Sequence, residues 1–205
     1  MKKVPAEIQF LENITVIDIA EQGKGVGKHQ DLVLFIDKAV PGDVVDVQLT
    51  RVKKNLAEAK ITAFKQHSPD RTEPFCAHFG TCGGCKWQHL SYEAQTRFKQ
   101  KTVLDALERL GHVNVSGAEP ILGSAETQYY RNKLEFTFSN KRWLDDGDMA
   151  NRDDLSMDAL GFHVPGRFDK ILDIEHCYLQ AEPSNAIRNA VREYALKNEL
   201  SFYDL

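Results

Sequence analysis

Three of the four cysteines in this chain lie within ten positions of one another. The segment "CAHFGTCGGC" holds Cys76, Cys82 and Cys85 in the pattern C-x5-C-x2-C, and the last thiol, Cys177, follows 92 residues after Cys85. The start of the chain has basic residues but no apolar segment of the kind that directs export. We therefore expect a reducing, cytoplasmic location, in which the cysteines bind a metal rather than form disulfide bonds.

The number and spacing of the thiolates narrow the choice of metal. Thiolates are soft ligands that favour zinc, iron or an iron-sulfur cluster. Structural zinc usually has two C-x2-C pairs, whereas three neighbouring cysteines with one remote cysteine are typical of cubane clusters. Radical chemistry with S-adenosylmethionine uses three cysteines, and the fourth thiol disfavours it. We predict a [4Fe-4S] cluster on Cys76, Cys82, Cys85 and Cys177, with zinc as the alternative.

The charge of the 205-residue chain is unevenly distributed. The net charge is -4, but residues 1–142 carry 20 Lys and Arg against 17 Asp and Glu, and residues 143–205 carry 6 against 13. The basic first part is compatible with a nucleic-acid partner. The acidic residues of 145–154 lack the spacing of a cation site, so we interpret them as a solvated loop. No apolar run reaches the roughly 20 residues that cross a bilayer, and we expect no membrane partner.

Short alternating segments between glycine and proline turns predict five strands over residues 14–65, which we interpret as a closed β-barrel. The polar segment "QHSPDRTEP" indicates a domain boundary. We assign residues 1–66 to the barrel, 67–74 to a linker and 75–205 to a second, α+β domain. In that domain we predict a helix over 91–111 with Ser91 as N-cap, a strand over 129–139, a hairpin from "ALGFHV" to "KILDI" and a helix over 183–199.

These segments resemble a known family. "CAHFGTCGGCKWQHLSYEAQTRFKQKTVLDALERLG" resembles the cluster segment of bacterial RNA uracil-5 methyltransferases, and "YYRNKLEFTFS" and "LGFHVPGRFDKILDIEHC" resemble their next segments in the same order. The resemblance covers essentially the whole chain. It implies a mostly β plus α+β fold, in which an RNA-binding, OB-like TRAM barrel precedes a central domain with a [4Fe-4S] cluster on the four cysteines. It also implies that the helix at 91–111 packs partly against a catalytic domain.

The family transfers a methyl group from S-adenosylmethionine to C5 of a uridine after a cysteine adds to C6. If all four cysteines bind the cluster, this chain has no such nucleophile. It also lacks the glycine-rich turn between strand and helix that an S-adenosylmethionine pocket needs, and "GKGVGK" at 23–28 lacks the spacing of a phosphate-binding loop. We expect the Rossmann-like methyltransferase domain, with its S-adenosylmethionine site, to be absent from this chain. The chain alone should have no catalytic residues and no activity.

Basic and aromatic residues are the candidate RNA contacts. Cations in barrel turns can neutralise phosphate, although solubility is the competing explanation and accounts better for any single lysine. An arginine in the family's Tyr-Arg strand lies near the target nucleotide, with a structural salt bridge as the alternative. Aromatic rings beside Cys85 can stack on bases or shield the cluster. The candidates are Lys24, Lys28, Arg51, Lys53 and Lys54 in the barrel, Trp87 and His89 beside Cys85, and Arg131 and Lys133 in the predicted strand.

Our leading hypothesis is that the chain is the RNA-recognition portion of an S-adenosylmethionine-dependent 23S rRNA (uracil-C5) methyltransferase. It would grip RNA, most like large-subunit ribosomal RNA, and present the target uridine. One alternative is a stand-alone RNA-binding module with a structural four-cysteine metal site, iron-sulfur or zinc. A ferredoxin-type electron carrier is another, although it would have no use for the barrel.

Overall fold

A computed structural model describes residues 10–149 and 151–204 of the chain. The chain divides into two compact units, the first formed by residues up to 74 with 87–123, the second by 75–86 with 124–205. This division differs from the predicted boundary at 67–74, since residues 87–123 group with the barrel. The first nine residues of the predicted barrel domain lie outside the described part.

The first unit contains the predicted five-stranded barrel, which is closed in the order β1-β2-β3-β5-β4. All neighbouring strands are antiparallel except β3 and β5, which are parallel. Alternate apolar side chains point inward and form its core, among them Val16, Leu34, Val47 and Ala59. The strands are β1 (Phe10–Ile19), β2 (Gly25–His29), β3 (Leu32–Asp37), β4 (Val44–Lys53) and β5 (Leu56–Gln66).

The glycines of "GKGVGK" permit close packing inside the barrel. A Cβ on Gly25 would lie 2.7 Å from the Cβ of Ala39, and one on Gly27 would lie 2.8 Å from Cγ2 of Ile14. Both distances are shorter than side chains tolerate. This explains the glycines without a phosphate-binding role, in agreement with the sequence interpretation.

A buried carboxylate connects the barrel to the segment after it. Asp43 is fully buried and accepts hydrogen bonds from the backbone N–H groups of Val40 at 2.8 Å and Ser68 at 2.9 Å. The guanidinium of Arg71 binds the same carboxylate in a fork, at 3.2 and 2.6 Å. Residues 68–71, predicted as part of a linker, are therefore fixed to the barrel.

The predicted helix follows in the first unit as α1 (Tyr92–Arg109), and its N-cap is Ser91, whose hydroxyl accepts from the N–H of Ala94. A bridge between Arg71 and Leu90 aligns the preceding segment with the helix start. Ala94 and the partly buried Phe98 pack against the buried cluster that contains Leu90.

The C-terminal half of α1 keeps an apolar face in contact with solvent. Val103, Leu107 and Leu110 are 57%, 42% and 82% exposed. The expectation that this helix packs on a further domain remains a prediction.

The second unit is built on an antiparallel sheet in the order β6-β7-β8. Strands β7 (Ala159–Val164) and β8 (Arg167–Asp173) confirm the predicted hairpin, and β6 (Thr137–Ser139) is far shorter than the predicted strand over 129–139. The predicted strand is interrupted because Tyr130 forms an isolated bridge with Gln180 instead of joining the sheet. The acidic stretch contains the one-turn helix α2 (Asp146–Met149), and the last helix is α3 (Ser184–Lys197).

Helix α3 is fixed to the sheet by charge and by aromatic contact. Arg192 binds the carboxylate of Asp173 at 2.9 and 2.5 Å, and Arg188 lies over the ring of Phe136 at 5.0 Å. None of the helices in the described ranges is both long and apolar enough to span a membrane.

The Asp43 network predicts a large cost for a conservative substitution. Asp43→Asn removes the charge that faces Arg71 in a buried site, so we expect the barrel to lose about 3 kcal/mol of stability. Hydrogen exchange of the β3 and β5 amides in urea would measure the loss. The control Asp37→Asn breaks a solvent-exposed pair with Lys24 at 3.2 Å and should cost less than about 1 kcal/mol. Equal effects of the two substitutions would contradict the role of Asp43.

The Asp43 carboxylate also predicts that the stability of the barrel falls at acidic pH. Burial acts to raise the pKa of Asp43, but the hydrogen bonds from Arg71, Ser68 and Val40 outweigh it and lower the pKa below 3.8. The stabilisation is therefore complete above about pH 4 and is lost as pH falls through the lowered pKa. Asp43→Asn should flatten this part of the pH profile.

Candidate metal centre and RNA-binding surfaces

The first three cysteines lie on a tight loop in the second unit. The loop closes on itself through the N–H groups of Phe79, which donates to Cys76 O at 3.0 Å, and of Cys82, which donates to His78 O at 2.9 Å. A Cβ on Gly83 would lie 2.7 Å from the carbonyl oxygen of His163, so only glycine lets the loop approach the end of β7 this closely. The loop is thereby held against the hairpin that precedes Cys177.

The fourth cysteine is fixed by helix α3. The backbone N–H of Cys177 donates to Oδ1 of Asn185 at 2.8 Å, and the amide of Asn185 donates back to the carbonyl of Cys177 at 3.1 Å. Arg188, 5% exposed, donates to the same Oδ1 at 2.8 Å and to the carbonyl of Glu175 at 2.6 Å. One buried side-chain pair therefore orients the backbone on both sides of the Cys177 thiol.

The four thiols are unbonded to one another and belong to the same unit. Burial, together with the charges of Cys85, Cys76 and Cys177, raises the pKa of Cys82 to about 11 against the opposing hydrogen bond from Gly84. Burial and neighbouring cysteines also raise the pKa of Cys76 and of Cys177. The thiols are thus close enough to oppose one another's ionisation. Within residues 10–149 and 151–204, however, no three Cys, His, Asp or Glu side chains adopt the arrangement that holds a metal ion.

The donor set suits a group that binds sulfur. All four candidate ligands are thiols, and the backbone N–H of Gly84 points at Sγ of Cys82 at 3.3 Å. Hydrogen bonds from backbone amides also oppose part of the rise in the pKa of Cys76 and of Cys177, since such bonds favour the thiolate. These features fit an iron-sulfur cluster, whose thiolates accept such hydrogen bonds, and the ligand assignment remains a prediction.

Two of the predicted basic contacts lie in one row across the barrel surface. Lys28 on β2 is opposite Val33 on β3, Val33 is opposite Leu56 on β5, and Leu56 is opposite Lys53 on β4. Both lysines are exposed. Three strand spacings lie between them, roughly 14 Å measured along the curved sheet. Lys54, also exposed, occupies the adjoining turn.

The other barrel candidates form ion pairs. Lys24 contacts Asp37 at 3.2 Å, and Arg51 contacts Glu58 at 3.8 Å. Arg51 and its partner are both more than 40% exposed, so the pair is weak and its cation stays accessible.

Trp87 and His89 belong to the first unit, unlike the cysteines that they follow. Trp87 packs against the buried cluster with Leu90 and Ala94. His89 is 3% exposed, and its burial, with the nearby charge of Arg71, lowers its pKa to about 4. The ring is buried and neutral at pH 7, so the predicted stacking of His89 on a base does not fit this structure.

Arg131 and Lys133 lie on an exposed part of the second unit. Lys133 pairs with Glu135 at 2.8 Å, while the guanidinium of Arg131 forms no ion pair within the described part of the chain. The salt bridge considered as the alternative for Arg131 is therefore not observed. The backbone N–H of Arg131 donates to Leu179 O at 2.8 Å, which places this residue beside the segment that follows Cys177.

The sequence analysis did not identify the residues that position Cys177, nor the aromatic contact made by the residue that follows it. Asn185 and Arg188 were assigned only to a helix, although their spacing of three places them on one helical face. The rings of Tyr129 and Tyr178, the residue after Cys177, lie 5.9 Å apart, but the sequence gave no signal of this contact because the two residues are 49 positions apart.

The Asn185 contacts predict a local loss of stability. Asn185→Ala leaves the N–H and C=O of Cys177 and one buried Arg188 donor without this partner, so we expect the second unit to lose about 2–4 kcal/mol. Hydrogen exchange of the β7 and β8 amides would report it. The control Glu193→Ala, at an exposed position of the same helix, should cost less than about 1 kcal/mol. A larger loss in the control would refute the role of Asn185.

Comparison with known proteins gives a family for part of the chain and named relatives for most of it. Residues 12–62, which span most of the barrel, match the TRAM domain family. Over 190 residues, or 91% of the chain, the sequence is 54% identical to an uncharacterized RNA methyltransferase of Bacteroides thetaiotaomicron. It is 48% identical over 93% of its length to one from Porphyromonas gingivalis. The chain spans only 41% and 42% of these two relatives.

A solved structure shares the fold. The tRNA (uracil-54, C5)-methyltransferase of Pyrococcus abyssi, solved with S-adenosyl-L-homocysteine, superposes with a TM-score of 0.57 over 98% of this chain and 39% of its own. The two sequences are 21% identical, so the likeness concerns the fold alone. Residues 12–62 are thus identified as a TRAM domain, within a chain related to part of the proteins named RNA methyltransferases.

Proposed function

We propose that this chain is the RNA-recognition portion of an S-adenosylmethionine-dependent 23S rRNA (uracil-C5) methyltransferase. The proposal is carried by the relationship to proteins named RNA methyltransferases over nine-tenths of the chain. The choice of uracil C5 and of large-subunit ribosomal RNA rests on the family resemblance of the cysteine segment and the Tyr-Arg-Asn-Lys segment.

The barrel would bind the RNA backbone. Lys28, Lys53 and Lys54 place three exposed cations at one end of the barrel surface, where they can neutralise phosphates without reading bases. Such contacts position an RNA and make its affinity depend on salt. Sequence selection would then come from unpaired bases held elsewhere on the chain.

Cys76, Cys82, Cys85 and Cys177 would hold the [4Fe-4S] cluster. The raised pKa values of Cys76, Cys82 and Cys177 mean that bound cations are needed to hold them as thiolates, and an iron-sulfur cluster supplies such cations. The cluster would connect the loop at 76–85 to the segment after β8. Its contribution would be folding energy for the second unit, because metal binding is coupled to folding.

Methyl transfer would require parts that this chain does not provide. Its relatives are more than twice its length, and we assign the S-adenosylmethionine site, the attacking cysteine and the base to their remaining part. In this proposal the chain alone binds RNA without methylating it. The relatives' names favour this reading over a stand-alone RNA-binding module.

The function predicts a specific loss of modification. Deleting the gene that encodes this chain should remove one 5-methyluridine from 23S rRNA, as measured by mass spectrometry of nuclease fragments. Transfer RNA from the same cells is the control and should keep its 5-methyluridine. Loss from transfer RNA alone would refute the ribosomal substrate, and no loss from either RNA would refute the uracil-C5 assignment.

The metal assignment predicts iron and sulfide in anaerobically purified protein. Cys177→Ser should lower both, and should weaken hydrogen-exchange protection of β7 and β8 while β2 and β3 in the barrel keep theirs. The neighbouring substitution Thr81→Ala removes no sulfur and should retain the metal. Stoichiometric zinc without sulfide would refute the cluster, and equal loss of protection in both units would refute its placement.

A further inference from the structure

Four aromatic rings meet on the surface of the second unit. Tyr178 lies at their centre, 5.1 Å from the ring of Phe75, 5.9 Å from that of Tyr129 and 4.5 Å from that of His176. Phe75 and Tyr129 are each 42% exposed, and the other two rings are partly buried. We call these four residues the Tyr178 cluster.

The cluster is assembled by distant segments rather than by neighbours in sequence. The N–H of Tyr129 donates to the carbonyl of Tyr178 at 2.7 Å, and the hydroxyl of Tyr129 lies 3.4 Å from Nε2 of His176. Tyr129 also has a φ of 56°, a left-handed conformation that is unfavourable for a bulky residue. Such conformations persist where surrounding contacts impose them, and they concentrate at functional sites.

Core packing does not explain the two outer rings of the cluster, because Phe75 and Tyr129 are each exposed to solvent. The exposure of Phe75 and Tyr129 leaves aromatic surface open to solvent, and an aromatic face is what an unpaired base stacks on. Arg131 supplies a positive charge, which is complementary to the phosphate of a nucleotide. Its backbone pairs with Leu179, directly after Tyr178, and its exposed guanidinium has no ion-pair partner in the described residues. The carboxylate of Glu182, three positions after Leu179, accepts hydrogen bonds from Asn185 and from the N–H of Ala186.

We propose that the Tyr178 cluster stacks an unpaired base of a single-stranded RNA segment while Arg131 contacts a neighbouring phosphate. This inference rests on the proposed function, since it takes RNA as the partner. It adds a base-binding site in the second unit to the phosphate-binding surface of the barrel. A hydrophobic partner protein would suit the aromatic rings but would leave Arg131 without a counter-charge.

The test uses short single-stranded RNAs that carry 2-aminopurine at successive positions, bound to the anaerobically purified chain. The fluorescence of 2-aminopurine falls when it stacks on an aromatic ring, so one position should be quenched. Tyr129→Leu, which removes the ring, should raise Kd about 5- to 100-fold and abolish the quenching. Tyr129→Phe keeps the ring and should bind within about twofold of the wild type.

Salt dependence separates stacking from charge. Tyr129→Leu should leave the slope of log K against log salt unchanged, whereas Arg131→Met should reduce it by about 0.7. Hydrogen exchange of β7 and β8 verifies the fold of each variant. Phe75→Leu, which alters no hydrogen bond described above, replaces Tyr129→Leu if the latter loses protection.

The outcomes are distinct. Wild-type affinity and quenching in both Tyr129→Leu and Phe75→Leu would overturn the base-stacking site while leaving the proposed function intact, and would point to a protein partner for these rings. RNA binding by the wild type without quenching at any position would overturn it as well. Failure of the wild type to bind RNA at low salt would overturn the proposed function together with this inference.

Discussion

The buried charge of Asp43 is the constraint on which the first unit depends. Its carboxylate is satisfied only when the turn at Val40, the segment at Ser68 and the guanidinium of Arg71 all reach it. The segment that leaves the barrel therefore contributes to the barrel's own stability. Arg71 also forms a backbone bridge with Leu90. The two ends of the segment that contains Cys76, Cys82 and Cys85 are therefore aligned without any contact made by the cysteines.

A second buried charge, that of Arg188, helps to organise the other unit. Arg188 is held by Asn185 and by the carbonyl of Glu175, and its positive charge favours an anionic thiolate at Cys177. Burial also lowers the pKa of Arg188, because removing the guanidinium from water disfavours its charged form. A centre formed by four thiolates would carry negative charge, and a buried guanidinium nearby would offset part of it.

The elements predicted correctly are those whose signal is a local pattern in the sequence. The alternation of apolar residues gave the barrel and the hairpin, and Ser91 gave the start of α1 within one residue. The linker at 67–74 was inferred from composition, but composition carries no information on the contact between Asp43 and Arg71, which are 28 positions apart. The strand predicted over 129–139 has the right alternation, but in the structure it begins only at Thr137, because the backbone at 129–131 pairs with the segment at 178–180 instead of joining the sheet. Burial of His89 was equally unforeseeable, since polarity alone suggested exposure.

The aromatic cluster and the cysteines share the same two pieces of backbone. Phe75 immediately precedes Cys76, and Tyr178 immediately follows Cys177, while the two rings meet at 5.1 Å. Any group bound by both cysteines would fix the distance between the segments that carry these rings. A metal with no redox partner would then still influence RNA binding, because the geometry of the stacking surface depends on the same backbone. Under the proposed ligand assignment, the iron-sulfur cluster would therefore have a structural task in the second unit, whereas the barrel has its own buried network around Asp43.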